Sequence, residues 1–204
     1  MTTTTQKTPA VFVDEADDAV AARVAELLHT KERVLIAIDG NCCSGKTTSA
    51  ERLGKRLGAS VFHMDDYFLQ PHMRTSDRLN RPGGNVDAGR FFLDVLLPVS
   101  RGETAHVRRY DCREGVLLPP VAVDPGRVVI VEGAYSLHPL LAPYYDIKLF
   151  CRVDTALQID RIRLRNGEDR LQEFQNRWIP LENAYFNALD IEQSCDIVIK
   201  STQR

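Results

Sequence analysis

A parallel α/β sheet covered by helices on both faces is the fold class this sequence predicts, on three observations. Short apolar runs alternate with segments of helical periodicity. The runs lack the polar alternation of a half-exposed strand, and the chemically loaded residues follow directly after them. The first helical segment begins near Asp14 and ends at about His29, with Val20, Val24, Leu27 and Leu28 forming one apolar stripe. Val34–Ile38 is the first buried strand and ends in Asp39-Gly40. A helix over Ser49–Leu57 and a strand at Ser60–His63 come next. Further strands at Val128–Val131, Ile147–Val153 and Asp196–Lys200 complete an open five-stranded parallel sheet. Between the second and third strands the chain is rich in Arg, Gly, Pro and Asn, with a helical stretch at Gly89–Leu97 and a loop at Leu79–Asn85. A connection that long is usually functional. In open sheets of this kind ligands sit outside the carboxyl ends of the strands.

The chain has 204 residues, which at roughly 150 residues per domain favours one domain. We place it at 13–204, after a polar, Thr-rich, flexible tail over residues 1–12. A chain of this size buries roughly 70% of its unfolded surface, so neither disulfides nor a structural metal are required. Lys plus Arg is 26 against 28 Asp plus Glu, a net of -2. That balance argues against nucleic acid or acidic lipid as a partner. No apolar run is long enough to span a membrane, and the N-terminus lacks the basic start and apolar stretch of a secretory signal. The five cysteines follow no zinc spacing, so a reducing cytoplasm is the expected location. The sequence is silent on oligomeric state and leaves a homo-oligomer open.

Gly40-Asn41-Cys42-Cys43-Ser44-Gly45-Lys46-Thr47, followed by Thr48, fills every fixed position of G-x-x-x-x-G-K-[ST]. The glycines allow a tight turn that brings backbone N–H groups onto phosphate oxygens, and the helix that starts there adds its positive dipole end. Lys46 can reach the β- and γ-phosphates, and the Thr47 hydroxyl can ligate Mg²⁺. A buried strand before the loop and a helix after it supply the context the motif needs, and the fold becomes a P-loop NTPase fold. Cys42 and Cys43 read as small loop filler, with a thiol of lowered pKa as the alternative.

Three kinds of P-loop protein compete. A GTPase needs a guanine-reading N-K-x-D segment, and no Asn-Lys pair occurs. A transporter-type ATPase needs an L-S-G-G-Q-like signature, which is also missing. A small-molecule kinase needs a carboxylate near the acceptor hydroxyl and arginines over the transferring group, and both are on offer. Asp65 and Asp66 directly follow the second strand, where a carboxylate can accept the hydroxyl proton or simply cap a short helix. Glu132 closes the third strand and is suited to facing Mg²⁺ or to a structural role. Asp87 precedes a helical run, as a cap or a substrate ligand. Arg161 and Arg165 are four apart and share a helix face, while Arg163 points elsewhere. Beside the break at Asn166-Gly167-Glu168-Asp169 the pair suits a short lid over phosphates, around 161–178. A solvated charged face is the competing reading. From another class, a non-catalytic nucleotide-binding regulatory protein would keep the loop and lack an acceptor site.

Taken in order, these segments resemble the uridine kinase family, within the broader uridine kinase and phosphoribulokinase-type P-loop kinases. The matching stretches are Ile36–Gly40 leading into the loop, Asp65-Asp66-Tyr67-Phe68, Asn85-Val86-Asp87, Arg109-Tyr110-Asp111, Val129–Gly133 and the arginine helix from Asp160 to Asn166. The resemblance implies ATP-dependent transfer of the γ-phosphoryl group to a primary hydroxyl of a small metabolite, a nucleoside in the first instance. It implies Asp65 as acceptor-side base close to Mg²⁺, with Asp66 in reserve, and Thr47 and Glu132 completing the metal environment. Asp87 would bind sugar hydroxyls, Tyr110 and Phe68 would line the pocket beside Glu132, and Arg161 and Arg165 would be the lid arginines. The chain departs from the family where no histidine follows Tyr110-Asp111, where Phe68 offers a ring without a hydroxyl, and where Gly167-Glu168-Asp169-Arg170 replaces a longer basic run. Pantothenate, nicotinamide riboside or another hydroxylated metabolite would use the same machinery.

Overall fold

In the computed structural model residues 10–201 are described; the greater part of the expected tail, 1–9, lies outside them. The strands are β1 (Ala10–Val11), β2 (Val34–Gly40), β3 (Ser60–His63), β4 (Val128–Glu132), β5 (Ile147–Arg152) and β6 (Ile197–Lys200). They form one sheet in the order β1-β6-β5-β2-β4-β3, with every pairing parallel. The sheet therefore has six strands where five were expected. The extra one is the two-residue edge Ala10–Val11, drawn from the segment assigned to the tail and paired with Val198 and Ile199.

The uninterrupted apolar runs have their explanation in the two layers. In β2, Val34, Ile36 and Ile38 pack with Val20, Val24, Ala50 and Leu53, which come from α1 (Val13–Leu27) and α2 (Lys46–Leu57). Leu35 and Ala37 face the opposite way, into Phe91, Val95, Tyr185 and Phe186. A strand covered on both sides has no face left for polar residues, and each buried Val, Leu or Ile contributes about 1.5–3 kcal/mol.

The second layer comes from two composite helices, α3 over 88–101 and α5 over 168–188, with α4 (Thr155–Asn166) between the sheet and α5 in the chain. Each composite contains one widened π turn, Phe92–Leu96 and Phe174–Trp178, closed by Leu97 N–H to Phe92 O and Ile179 N–H to Phe174 O. A proline stands two residues after each turn, Pro98 and Pro180. Proline brings no N–H and crowds the carbonyl four residues back, so the helix survives by widening the turn just before it. The long connection also forms two antiparallel ladders, Ala105–Val107 with Val121–Val123 and Tyr110–Asp111 with Val116–Leu117. The predicted loop at 79–85 starts with the last residue of a single helical turn, Ser76–Leu79, capped by Thr75.

Candidate functional site

The loop after β2 is shaped by its glycines. A Cβ on Gly40 would stand 2.1 Å from the Cys151 carbonyl oxygen, so only glycine lets β2 and β5 run this close. Gly45, at φ +94°, turns the chain into α2, which begins at Lys46 rather than at Ser49 as expected. Among the described residues the N–H groups of Cys43, Gly45, Lys46 and Thr47 donate to nothing, and the buried Ser44 hydroxyl also lacks a partner. These residues line a cavity of about 470 Å³. Lys46 Nζ folds over it and donates to the carbonyls of Gly40 and Asn41, 2.8 Å each. Orphan donors at a helix start, with a cation among them, form an anion cradle, and the arrangement fits a polyphosphate. Burial pulls the Lys46 ammonium down, but Glu182, Asp65 and Asp39 outweigh it and leave it above its ordinary value.

Acidic groups gather on the opposite wall. Thr47 Oγ1 donates to the Glu132 carboxylate at 3.2 Å, and His63 Nδ1 lies 2.6 Å from its other oxygen. That bond to Glu132 raises the His63 imidazole above its usual value. The 3₁₀ turn Met64–Tyr67 follows β3 directly and separates its two aspartates. Asp65 lines the cradle cavity, whereas Asp66 bonds to Arg109 Nε at 2.8 Å. Loss of solvation pushes the Asp65 carboxyl above its usual value, against the pull of Lys46. No cluster of three or more His, Cys, Asp or Glu among the described residues could cage a metal by itself. The hard oxygen donors of Thr47, Asp65 and Glu132 nevertheless fit Mg²⁺, which is commonly held by one or two carboxylates together with substrate phosphates.

Asp65 also lines a second cavity, of about 410 Å³, with Phe68, Tyr135 and Trp178 in its wall. Five residues belong to both cavities: Cys42, Asp65, Ala134, Arg165 and Glu182. On α4, Arg161 Nη1 donates to Cys43 O at 3.1 Å and Ser201 Oγ at 2.6 Å and faces the cradle alone. Arg163 turns away and pairs with Asp160 and Glu168. The shared face of Arg161 and Arg165 therefore follows their spacing.

Not every expected residue arrives here. Asp87 caps α3 through Arg90 N–H and pairs with the Arg90 side chain at 3.5 Å; it lines neither cavity. Buried Tyr110 likewise stays out of both walls, under the guanidinium of Arg74. Phe68 does reach the second cavity, 6.0 Å from the Trp178 ring. Both loop thiols are raised by burial, so the alternative of a lowered thiol pKa is not realised.

Two carboxylates were missed. Glu182 accepts from the Cys42 N–H at 2.8 Å, is buried, and is raised by desolvation to about 7. Its signal was its position: with Trp178, Tyr185 and Phe186 it shares the inward face of one helix, at spacings of four, seven and eight. Asp39, fully buried, accepts from the N–H groups of Gly40, Tyr135 and Leu137 and from the Tyr185 hydroxyl, fastening β2 to the turn after β4 and to α5. No sequence spacing announces that convergence.

No family model matches the chain. It is 28% identical over 182 residues to the tRNA-specific adenosine deaminase subunit tad2 of Schizosaccharomyces pombe, covering 81% of this chain and 43% of that one. With a phosphoribulokinase of Synechocystis it shares 31% over 137 residues, 62% of this chain and 37% of the relative. A uridine kinase of Mycoplasma genitalium is 31% identical over 148 residues, 68% of this chain and 63% of the relative. The chain thus spans less than half of the first two relatives. The proline-cysteine signature of zinc deaminases does not occur in it. In fold it matches the structure of a possible uridine kinase from Bacillus stearothermophilus, with a TM-score of 0.63 and 21% identity over 89% of this chain and 99% of that one.

Proposed function

Because the chain belongs to the P-loop kinases of the uridine kinase and phosphoribulokinase group, we propose that it transfers the γ-phosphoryl group of ATP to a hydroxyl of a small metabolite. One observation carries the reading. The anion cradle and the second cavity share Asp65 and Arg165 in their walls, a carboxylate and a cation at one junction, which supports phosphoryl transfer between the two.

On this reading the loop N–H groups and Lys46 hold the phosphates, and Arg161 and Arg165 offset charge on the transferring group. Most of the acceleration then comes from positioning and fixed charge. Asp65 accepts the acceptor's proton, a role that contributes roughly 10²- to 10⁴-fold. Thr47, Asp65 and Glu132 would hold Mg²⁺, which supplies charge neutralisation at the phosphate oxygens. The segment 161–178 acts as the lid. The acceptor is a small hydroxylated molecule rather than nucleic acid or membrane, and nucleosides, uridine first, are the ones to try. The test is ATP consumption against a panel of nucleosides and small alcohols. Consumption stimulated at least about tenfold by one acceptor is expected; equal consumption with and without every acceptor refutes the kinase.

A further inference from the structure

Two helices grip the phosphate loop at one residue. The Cys42 N–H donates to Glu182 Oε2 at 2.8 Å, and Gln158 Nε2 donates to the Cys42 carbonyl at 3.1 Å. Glu182 comes from α5 and Gln158 from α4, and both side chains are more than nine-tenths buried. Cys42 is therefore fixed by its own backbone, next to a Cys43 whose N–H is left for an anion. Holding the loop in this way requires an acceptor at Glu182, not a charge. A glutamine oxygen would accept the same N–H, and a buried carboxylate without a counter-charge is costly.

The counter-charge is Lys46. Glu182 and Lys46 both line the cradle cavity. Of the carboxylates acting on Lys46, Glu182 raises it most, and Lys46 is in turn the strongest pull against the rise of the Glu182 carboxyl. With the cradle empty, the carboxylate balances the buried ammonium. A triphosphate brings several negative charges to that same cation, and a carboxylate left ionised beside them in a desolvated wall repels them. The Cys42 and Cys43 thiols and the Tyr135 and Tyr185 hydroxyls, which face the same place, are raised by burial and hold their protons near neutral pH. Asp39 is enclosed by four donors of its own, and the Arg165 guanidinium does not titrate. Asp65, in the same cavity wall, is the competing site for a proton. We propose that Glu182 is a positioning residue for the nucleotide: it fixes the loop through Cys42, balances Lys46 while the cradle is empty, and takes up one proton from solvent when phosphates replace it as the partner of Lys46.

This inference rests on the cradle being a nucleotide site, and the two fail differently. Binding that needs the protonated acid is complete below the free-state value and weakens as pH rises through it. That value is about 7, so near pH 8 the ionised form prevails about tenfold and costs that factor in affinity. ATP with saturating Mg²⁺ is titrated calorimetrically into the full chain and into Glu182→Gln, near pH 6 and near pH 8, in buffers of different ionisation enthalpy. The two proteins should bind ATP alike at the lower pH. At the higher pH the variant should bind about tenfold more tightly, and wild type should take up close to one proton more than the variant does. A merely structural role would not make affinity rise on loss of the charge. Glu182→Ala leaves the Cys42 N–H without its acceptor and should bind ATP about tenfold more weakly than Glu182→Gln at both pH values. Equal binding by a folded alanine variant overturns the hold on Cys42, and the glutamine comparison stands whether or not that variant folds. Identical pH profiles for wild type and Glu182→Gln overturn the proton uptake. A pH dependence that Asp65→Asn abolishes and Glu182→Gln keeps overturns it too, by assigning the proton to Asp65. Absence of ATP binding at either pH overturns the cradle and this inference together.

Discussion

Replacing Glu182 by glutamine removes one charge from the junction of the two cavities while keeping an oxygen for the Cys42 N–H. The wild-type carboxyl titrates at about 7 in the folded chain, against an ordinary value of 4.5, because burial disfavours its ionised form. A folded pKa above the unfolded one means that the native state holds the proton more tightly, so stability is lost as pH rises from the unfolded value through the folded one. A gap of that size, at about 1.4 kcal/mol per unit, corresponds to about 3 kcal/mol. Asp39 and Asp65 are also raised, mainly by their own burial, which both chains share. Urea unfolding of the nucleotide-free protein should therefore show wild type and Glu182→Gln alike near the acid end of the window. Above neutral pH the variant should be more stable by about 2–3 kcal/mol, read as a shift in midpoint at constant slope. A stability difference that does not change with pH would mean that Glu182 is ionised and solvated in the folded chain, and the reasoning would fail.

Two further substitutions bear on the cradle. Gly40→Ala places a methyl group inside the Cys151 carbonyl and should either abolish folding or separate β2 from β5, with nucleotide binding lost in parallel; a well-folded variant with normal ATP affinity would contradict that close approach. Lys46→Ala removes the cation that ties Gly40 and Asn41 together and stands among Glu182, Asp65 and Asp39. It should weaken ATP binding at least about tenfold and, by leaving those carboxylates uncompensated, also lower the thermal midpoint of the nucleotide-free chain, as titration calorimetry and scanning calorimetry would show.

The sheet was legible because its central strands are buried on both faces: Val34–Ile38 and Val128–Val131 admit no polar residue, and that absence is itself the signal. The edge Ala10–Val11 was not, since two residues paired along one side carry no periodicity. In the site, the loop announced itself because phosphate binding by backbone requires glycine at fixed positions. Asp65 was legible as one of a pair, but which aspartate faces the cradle depends on a single 3₁₀ turn and on Arg109, which is forty-three residues away. Asp39 and Glu182 escaped because their roles come from long-range convergence. Asp39 collects donors from three separate segments, and Glu182 meets Cys42 across 140 residues. Asp87 shows the converse: its place before a helix fitted a cap and a substrate ligand equally, and the geometry displays the cap.

The placement of Asp65 between donor and acceptor is tested most directly by following the label from γ-labelled ATP in wild type and in Asp65→Asn, with ATP affinity measured on both. The wild type should move the label onto the acceptor hydroxyl, and the variant should bind ATP within a few-fold of normal yet transfer label at least about a hundredfold more slowly. Transfer by Asp65→Asn at a near-normal rate, or release of label as free phosphate regardless of acceptor, would contradict the account.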